Sequence, residues 1–143
     1  MTEKKSERKW VKNQYKHYDM VLKERMIREV GSLLDKLMGG GYMNKATIKA
    51  DFGIDYKTTT DLHHAAPTCT FGTLRKFAYV IGFYIHQAEA KANAIPYEVK
   101  RQEELRKVNH DKNAFIAIYG IEATCVLELS NRHKDLREIV RQK

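Results

Sequence analysis

Histidine and aspartate residues are concentrated in one short segment, and these residue types bind metals or transfer protons. His63 and His64 are adjacent, with Asp51, Asp55 and Asp61 nearby in sequence. Adjacent side chains on one helix point about 100° apart, so the two imidazoles are poorly placed to clamp one metal ion. Helix capping and solvation account more simply for Asp51 and Asp55. We therefore expect no metal site and no cofactor, and a small nuclease is the weaker alternative.

Other catalytic motifs are missing from the sequence. The glycines at positions 39–41 are not followed by the Lys and Ser/Thr of a phosphate-binding loop, and no serine lies in a nucleophile elbow. Cys69 and Cys125 are the only cysteines and lie far apart, which argues against a structural zinc site or a disulfide framework. We expect both thiols to be buried as small apolar groups. The sequence thus predicts a binding protein rather than an enzyme.

Basic residues outnumber acidic ones in this chain of 143 residues. The 26 Lys and Arg against 18 Asp and Glu leave a formal net charge of +8, which favours a polyanionic partner. The length suits one ordinary domain. No apolar run approaches the roughly 20 residues of a membrane span, and the basic N-terminus lacks the apolar stretch of a signal peptide. We therefore expect a cytoplasmic protein without membrane contacts.

The chain is predicted to be mainly helical after the basic extension, because it contains only two prolines and eight glycines. Apolar residues at spacings of three and four predict a helix over 18–38 that ends at the three glycines; these residues are Leu22, Met26, Val30, Leu33 and Leu37. Two short helices follow, over 44–52 and 56–65, with Asn44 and Asp55 as N-caps and Gly53 ending the first. In them Ile48, Phe52, Thr59 and Leu62 are predicted to point inward.

The second half of the chain is predicted to be helical as well. Thr70 caps a helix over 71–81 that buries Leu74, Phe77, Ala78 and Ile81, and Gly82 is its C-terminal signal. Further helices are predicted at 84–94, at 97–108 after Pro96, and at 113–140. A strand over 115–118 is the less favoured interpretation. The fold class predicted from the sequence is all-α.

Residues 44–83, NKATIKADFGIDYKTTTDLHHAAPTCTFGTLRKFAYVIGF, contain a pattern of turn and core residues. Ile48 and Phe52 precede Gly53, Ile54 and Asp55 follow it, and Leu62 lies near the end of the second helix. This run resembles the helix-turn-helix of the phage repressor and Cro family, also called the xenobiotic-response-element family. The resemblance implies that the second helix enters the major groove of DNA.

Two positions depart from the family pattern. Lys49 stands where a small residue, mostly Ala, is usual, and Thr59 stands where a β-branched apolar residue is usual. Lys49 predicts either a slightly splayed helix pair or a lysine side chain that extends out to solvent.

The resemblance, carried over residue by residue, implies a DNA-contacting surface. In base recognition Lys57 would donate to guanine, Thr58 or Thr60 would contact phosphate or a thymine methyl, and Asp61 would accept from cytosine. Alternatively, Lys57 and Asp61 form only a surface ion pair, and the threonines satisfy local backbone groups. The full set of predicted DNA-binding residues is Tyr56, Lys57, Thr58, Thr60, Asp61, His64, Lys45 and Lys49.

Three regions are predicted: a basic N-terminal extension over 1–17, the helix-turn-helix domain over 18–95 and a helical C-terminal region over 96–143. The extension carries Lys4, Lys5, Arg8, Lys9, Lys12 and Lys16; it is predicted to be a solvated, frayed segment or a basic arm that lies along phosphates. The helices of the C-terminal region are predicted to pack on the domain or to pair two protomers. Its segment Tyr119-Gly120-Ile121-Glu122 matches residues 52–55, so a second, degenerate helix-turn-helix is the alternative for it.

The predicted function is a sequence-specific transcriptional regulator of the repressor type. It would bind double-stranded DNA as a homodimer, since one short helix reads too few bases for useful specificity. The alternative is a protein-binding module, such as an antitoxin or a phage-encoded inhibitor, that uses the helix-turn-helix for autoregulation or protein contact. A continuous basic face favours DNA, whereas an exposed apolar groove favours a protein partner.

Overall fold

Helices form the regular structure throughout the computed structural model, which describes the backbone of residues 2–142 and the side chains of residues 16–142. No strand occurs in that part of the chain, so the all-α class is confirmed, and residues 115–118 belong to a helix. The side chains of the predicted basic extension fall outside the described residues, except those of Lys16 and His17. The helices are α1 (Thr2–Gly39), α2 (Lys45–Phe52), α3 (Tyr56–His63), α4 (Phe71–Asn93), α5 (Glu98–Tyr119), α6 (Ile121–Asn131) and α7 (Leu136–Arg141).

Helix α1 packs on α3, α4 and α5 through the apolar stripe that the sequence predicted. Val30, Leu33 and Leu37 are buried, whereas Met26 is half-buried and Leu22 is 38% exposed. The stripe is therefore covered only along the C-terminal half of the helix. α1 begins further toward the N-terminus than predicted, and no glycine or proline precedes Gly31 to interrupt it.

Gly31 is the point where α1 crosses the end of α3. A Cβ atom at this position would lie 2.8 Å from the carbonyl oxygen of Leu62 and 3.1 Å from that of His63. Backbone atoms cannot yield as a flexible side chain can, so only glycine permits this approach. The close crossing fixes the C-terminal end of α3 against α1.

The prediction that Gly82 ends a helix is wrong. Gly82 is buried in the middle of α4, which Thr70 caps as predicted and which continues to Asn93. A Cβ atom on Gly82 would overlap Cγ1 of Val126 on α6. Glycine is required here for close packing between helices, and the two helices predicted over 71–81 and 84–94 are one.

The C-terminal region differs from the predicted helices at 97–108 and 113–140. α5 runs without interruption from Glu98 to Tyr119, and the following segment is divided into α6 and α7. His133, with φ of 61°, lies in the break between these two helices. Cys69 is buried as expected, but Cys125 is exposed, so the prediction of two buried thiols is wrong for the second.

Gly53 and Gly120 occupy different turns, although the residues around them match in sequence. Gly53 has φ 72° and ψ 15° and precedes α3 by three residues, whereas Gly120 has φ 61° and ψ −128° and directly precedes α6. Ile54 is accordingly 8% exposed and Ile121 is 82% exposed. The sequence match therefore corresponds to two unlike local structures.

A single apolar cluster joins the two halves of the chain, with buried members from Ile27 on α1 to Val140 on α7. α4 lies at its centre and packs on α1, α5, α6 and α7. The predicted regions 18–95 and 96–143 thus share one core. Within the described residues, none of the helices combines the length and the apolar character needed to cross a bilayer.

Candidate nucleic-acid interface

Helix α2 begins at a capping box that the residues 44–47 encode locally. The Asn44 side chain accepts a hydrogen bond from the Thr47 backbone N–H at 2.9 Å, and the Thr47 hydroxyl accepts one from the Asn44 backbone N–H at 3.0 Å. These two bonds satisfy backbone donors at the start of the helix. Lys45, the first residue of α2, is half-buried beside this cap.

The turn between α2 and α3 consists of Gly53, Ile54 and Asp55. Gly53 is left-handed, and its N–H donates to the Lys49 carbonyl oxygen at 2.9 Å. Asp55 caps α3 by accepting from the Thr58 N–H at 2.7 Å. Hydrogen bonds from Thr58 hold the pKa of the Asp55 carboxyl below its ordinary value, with a smaller contribution from the charges of Lys57 and Lys49.

The α2–α3 unit, defined here as residues 44–64, buries five side chains. Ile48 and Phe52 on α2 and Thr59 and Leu62 on α3 are buried as predicted, and Ile54 in the turn is buried as well. Thr59 is completely buried, yet its hydroxyl oxygen has no hydrogen-bond partner. A valine would fill the same space without a polar atom. The buried hydroxyl is thus an exception to an otherwise apolar inner face.

The outer face of α3 carries five of the predicted contact residues. At 100° per residue, positions 56, 57, 60, 61 and 64 fall within one side of the helix. Tyr56 is 49% exposed, and Lys57 and His64 are exposed. Thr60 and Asp61 are only half-buried, so the prediction that they point freely into solvent holds in part.

Thr58 lies away from this outer face, contrary to prediction. Its backbone N–H is used by the Asp55 cap, and its side chain lines a cleft between α3, α4 and α7. Thr58 therefore belongs to the flank of the α2–α3 unit. The alternative, in which the threonine side chains satisfy local backbone groups, is not what this bond shows, because the donor is the backbone N–H of Thr58.

Lys49 extends outward from α2. The residue is exposed, and its Nζ lies 5.1 Å from the centroid of the Tyr56 ring, a cation–π distance. Of the two structures predicted for this unusual lysine, the outward side chain is the one observed. Lys49 and Tyr56 thereby join the exposed surfaces of α2 and α3.

Three lysines and three aspartates give the α2–α3 unit no formal net charge. Two of the three carboxylates accept hydrogen bonds within the protein. Asp51 accepts a hydrogen bond from the Tyr84 hydroxyl at 2.7 Å, and Asp55 is used as a helix cap. Lys57 and Asp61 form no ion pair with each other in the described structure. The exposed cations of the unit are Lys49 and Lys57, and Lys45 is half-buried, so the positive charges of the unit lie at the surface although its formal charge balances.

The two histidines lie closer together than the helical spacing predicts. His63 ends α3 and His64 is its C-cap, so the rings stack with centroids 4.9 Å apart. His63 Nε2 lies 3.0 Å from Oδ1 of Asp35 on α1, and its Nδ1 is buried without a partner. No group of three His, Cys, Asp or Glu side chains converges as a metal site within the described part of the chain.

The cleft beside Thr58 contains cationic residues that sequence reasoning missed. It has a volume of about 410 Å³, and Lys76 from α4 and Arg141 from α7 line it together with Asp55. Lys76 falls opposite the buried face of α4, so helical periodicity could have identified it as exposed. Arg141 is 91 positions from its α2 contact, Ala50, and no local pattern connects them.

Comparison with known proteins found no significant match of the chain to a family model, to a curated protein or to a solved structure.

Proposed function

We propose that the protein is a sequence-specific DNA-binding transcriptional regulator of the repressor type, with the α2–α3 unit as a helix-turn-helix of the repressor and Cro kind. In this proposal α3 enters the major groove. Tyr56, Lys57, Thr60 and Asp61 reach base edges there, and Lys49 neutralises phosphate charge.

The observation that carries the proposal is the register of buried and exposed residues in the α2–α3 unit. Two eight-residue helices are joined by a three-residue turn with left-handed Gly53, and their inner faces are buried. This leaves α3 with one outer face of polar and charged side chains, which can hydrogen-bond to base edges. The capping bonds at Asn44 and Asp55 support the same geometry.

The charge distribution supports the proposal as well. Lys49 and Lys57 are exposed on the α2–α3 unit, whereas Asp51 accepts from Tyr84 and lies 3.9 Å from Nη1 of Arg137. The chain as a whole has a net charge of +8, and the predicted basic extension would add phosphate contacts. Together these cations would supply the part of the affinity for DNA that does not depend on the base sequence.

A homodimer is part of the proposal, because one α3 reads too few base pairs. A groove of about 530 Å³ between α1 and α5 exposes apolar side chains, including Leu22, Met26 and Ile118. We infer that this groove contributes to the dimer contact. Sedimentation equilibrium should show a dimer that Leu22→Glu weakens, whereas an unchanged association constant would exclude the groove.

The test of the proposed function is a salt titration of binding to random duplex DNA. Removing one lysine that neutralises a phosphate should reduce the slope of log K against log salt by about 0.9. We expect Lys49→Ala to weaken binding and to lower this slope, and Lys57→Ala to weaken binding. Lys107→Ala is the matched control, since this exposed lysine lies on α5 and pairs with Glu104. No binding by folded wild-type protein at low salt would refute the proposal.

A protein-binding module is the second candidate, and the same α1–α5 groove favours it. Its apolar side chains form the kind of surface that contacts another protein, and Tyr18, Met20 and Val21 are exposed elsewhere on α1. Failure to bind DNA, combined with a monomeric wild-type protein, would favour this second candidate over the regulator.

A further inference from the structure

Helix α7 is bound to the end of α2, although the two helices lie far apart in sequence. Arg141 Nη2 donates a hydrogen bond to the carbonyl oxygen of Ala50 at 2.7 Å. The last four carbonyls of an α-helix have no partner inside the helix, and that of Ala50 is one of them in α2. Arg141 therefore caps α2 just before the Gly53 turn.

A second set of contacts holds the adjacent residue, Asp51. Its Oδ2 accepts from the Tyr84 hydroxyl on α4, and its Oδ1 lies 3.9 Å from Nη1 of Arg137 on α7. The Arg137 guanidinium also lies 5.0 Å from the centroid of the Phe83 ring. α2, α4 and α7 thus meet at two consecutive residues of α2.

The position of α7 is itself well determined. Asp135 caps its first turn and holds Arg137 through two side-chain bonds, of 3.0 and 2.9 Å. Leu136 and Val140 are buried in the core. The two arginines are therefore presented to α2 from an anchored helix, and their positive charges favour the negative end of the α2 dipole.

The N-terminal end of α3 is connected to these contacts through α2. α3 packs mainly on α1 and α2, and the Gly53 turn connects it directly to the end of α2 that Arg141 caps. A change at Ala50 would consequently be transmitted to the turn and to the N-terminal end of α3.

We propose that α7 is a positioning element for the DNA-reading helix, and that Arg141 acts by capping α2 and fixing the turn into α3. The proposal rests on the proposed function. It assigns to the last helix of the chain a role in DNA affinity without requiring that the helix contact DNA. Arg141 also lines the cleft with Lys76, Thr58 and Asp55, so a direct phosphate contact is the competing role that the test must separate.

The test compares Arg141→Ala, Arg141→Lys and Lys76→Ala in the full-length protein by two measurements. The first is amide hydrogen exchange without DNA, together with the urea midpoint. We expect Arg141→Ala to accelerate exchange about tenfold at Gly53, whose N–H donates to the Lys49 carbonyl oxygen, and to lower the urea midpoint by no more than the corresponding loss of one cap. Arg141→Lys should restore part of the protection, because lysine can also donate to the Ala50 carbonyl. Lys76 lines the same cleft, and Lys76→Ala should change neither the amide exchange at Gly53 nor the urea midpoint.

The second measurement is affinity for random duplex DNA across a salt series. A positioning role predicts about tenfold weaker binding by Arg141→Ala with the salt slope of the wild type, because the number of neutralised phosphates stays the same. A slope lower by about one with normal exchange at Gly53 would show a phosphate contact and overturn the proposal. Unchanged affinity and unchanged exchange would also overturn it. If the wild-type protein binds no duplex at all, the proposed function fails, whereas the exchange measurement still decides whether Arg141 caps α2.

Discussion

Replacing Thr59 by valine should stabilise the protein. Thr59 is fully buried on the inner face of α3, and its hydroxyl oxygen has no hydrogen-bond partner. Valine has nearly the same shape and replaces the hydroxyl with a methyl group. The substitution therefore removes a buried polar group without opening a cavity.

The size of the effect follows from the desolvation of the hydroxyl. A buried polar group without a partner costs about 1–3 kcal/mol, and the helix propensities of threonine and valine are similar. We expect Thr59→Val to raise the free energy of unfolding by about 1–2 kcal/mol. For a chain of this length that corresponds to roughly 2–8 °C in the melting temperature.

Urea denaturation of the wild type, Thr59→Val and Thr59→Ser provides the assay. The serine variant keeps the hydroxyl and loses one methyl group, so it should be less stable by about 0.8 kcal/mol or more. An equal m-value in all three proteins would show that the compared states are the same. A valine variant less stable than the wild type would refute the reasoning, because it would show that the hydroxyl is bonded, for example to a backbone carbonyl in the preceding turn.

Further predictions concern helix packing and capping. Gly82→Ala should destabilise the protein by about 1–3 kcal/mol despite the better helix propensity of alanine, and a double variant with Val126→Ala should recover part of this loss. Gly72→Ala, in the first turn of α4, would place a Cβ at an ordinary contact distance of 3.6 Å from Oγ1 of Thr70, so it should be neutral or stabilising in the same urea assay. Equal losses at both glycines would contradict the close contact at Gly82. The lowered pKa of Asp55 means that its carboxylate stabilises the folded state above the pKa of the unfolded chain, and that this stabilisation is lost as the pH falls below about 4. Asp55→Asn keeps a capping acceptor, so its urea midpoint should fall less than that of the wild type between about pH 6 and pH 3.

Signals that act within a few residues were sufficient to predict much of the fold. Asn44, Asp55 and Thr70 each cap the helix that the sequence assigned to them, since a capping side chain needs only the backbone N–H groups of the next turn. The inward positions of Ile48 and Leu62 followed from helical spacing in the same way. The arrangement of the α2–α3 unit was therefore predictable from its own residues.

The features that the sequence did not predict depend on contacts between distant segments. Gly82 looks like a helix terminator, and only the approach of Val126 explains why it is buried within α4. Gly120 matches Gly53 in its neighbours, but α6 begins directly after it, so the matching sequence forms another turn. The cap that Arg141 places on α2 spans 91 positions. No local pattern could indicate any of these contacts.

The most direct test of the account is a titration of the isotopically labelled full-length protein with a random DNA duplex, followed by amide NMR. The proposed function predicts that the largest chemical-shift changes fall on residues 56–64 and on Lys49. The residues of α5 that lie outside the α1–α5 groove should show no change. Changes confined to the α1–α5 groove would contradict the account, and so would the absence of any change at low salt.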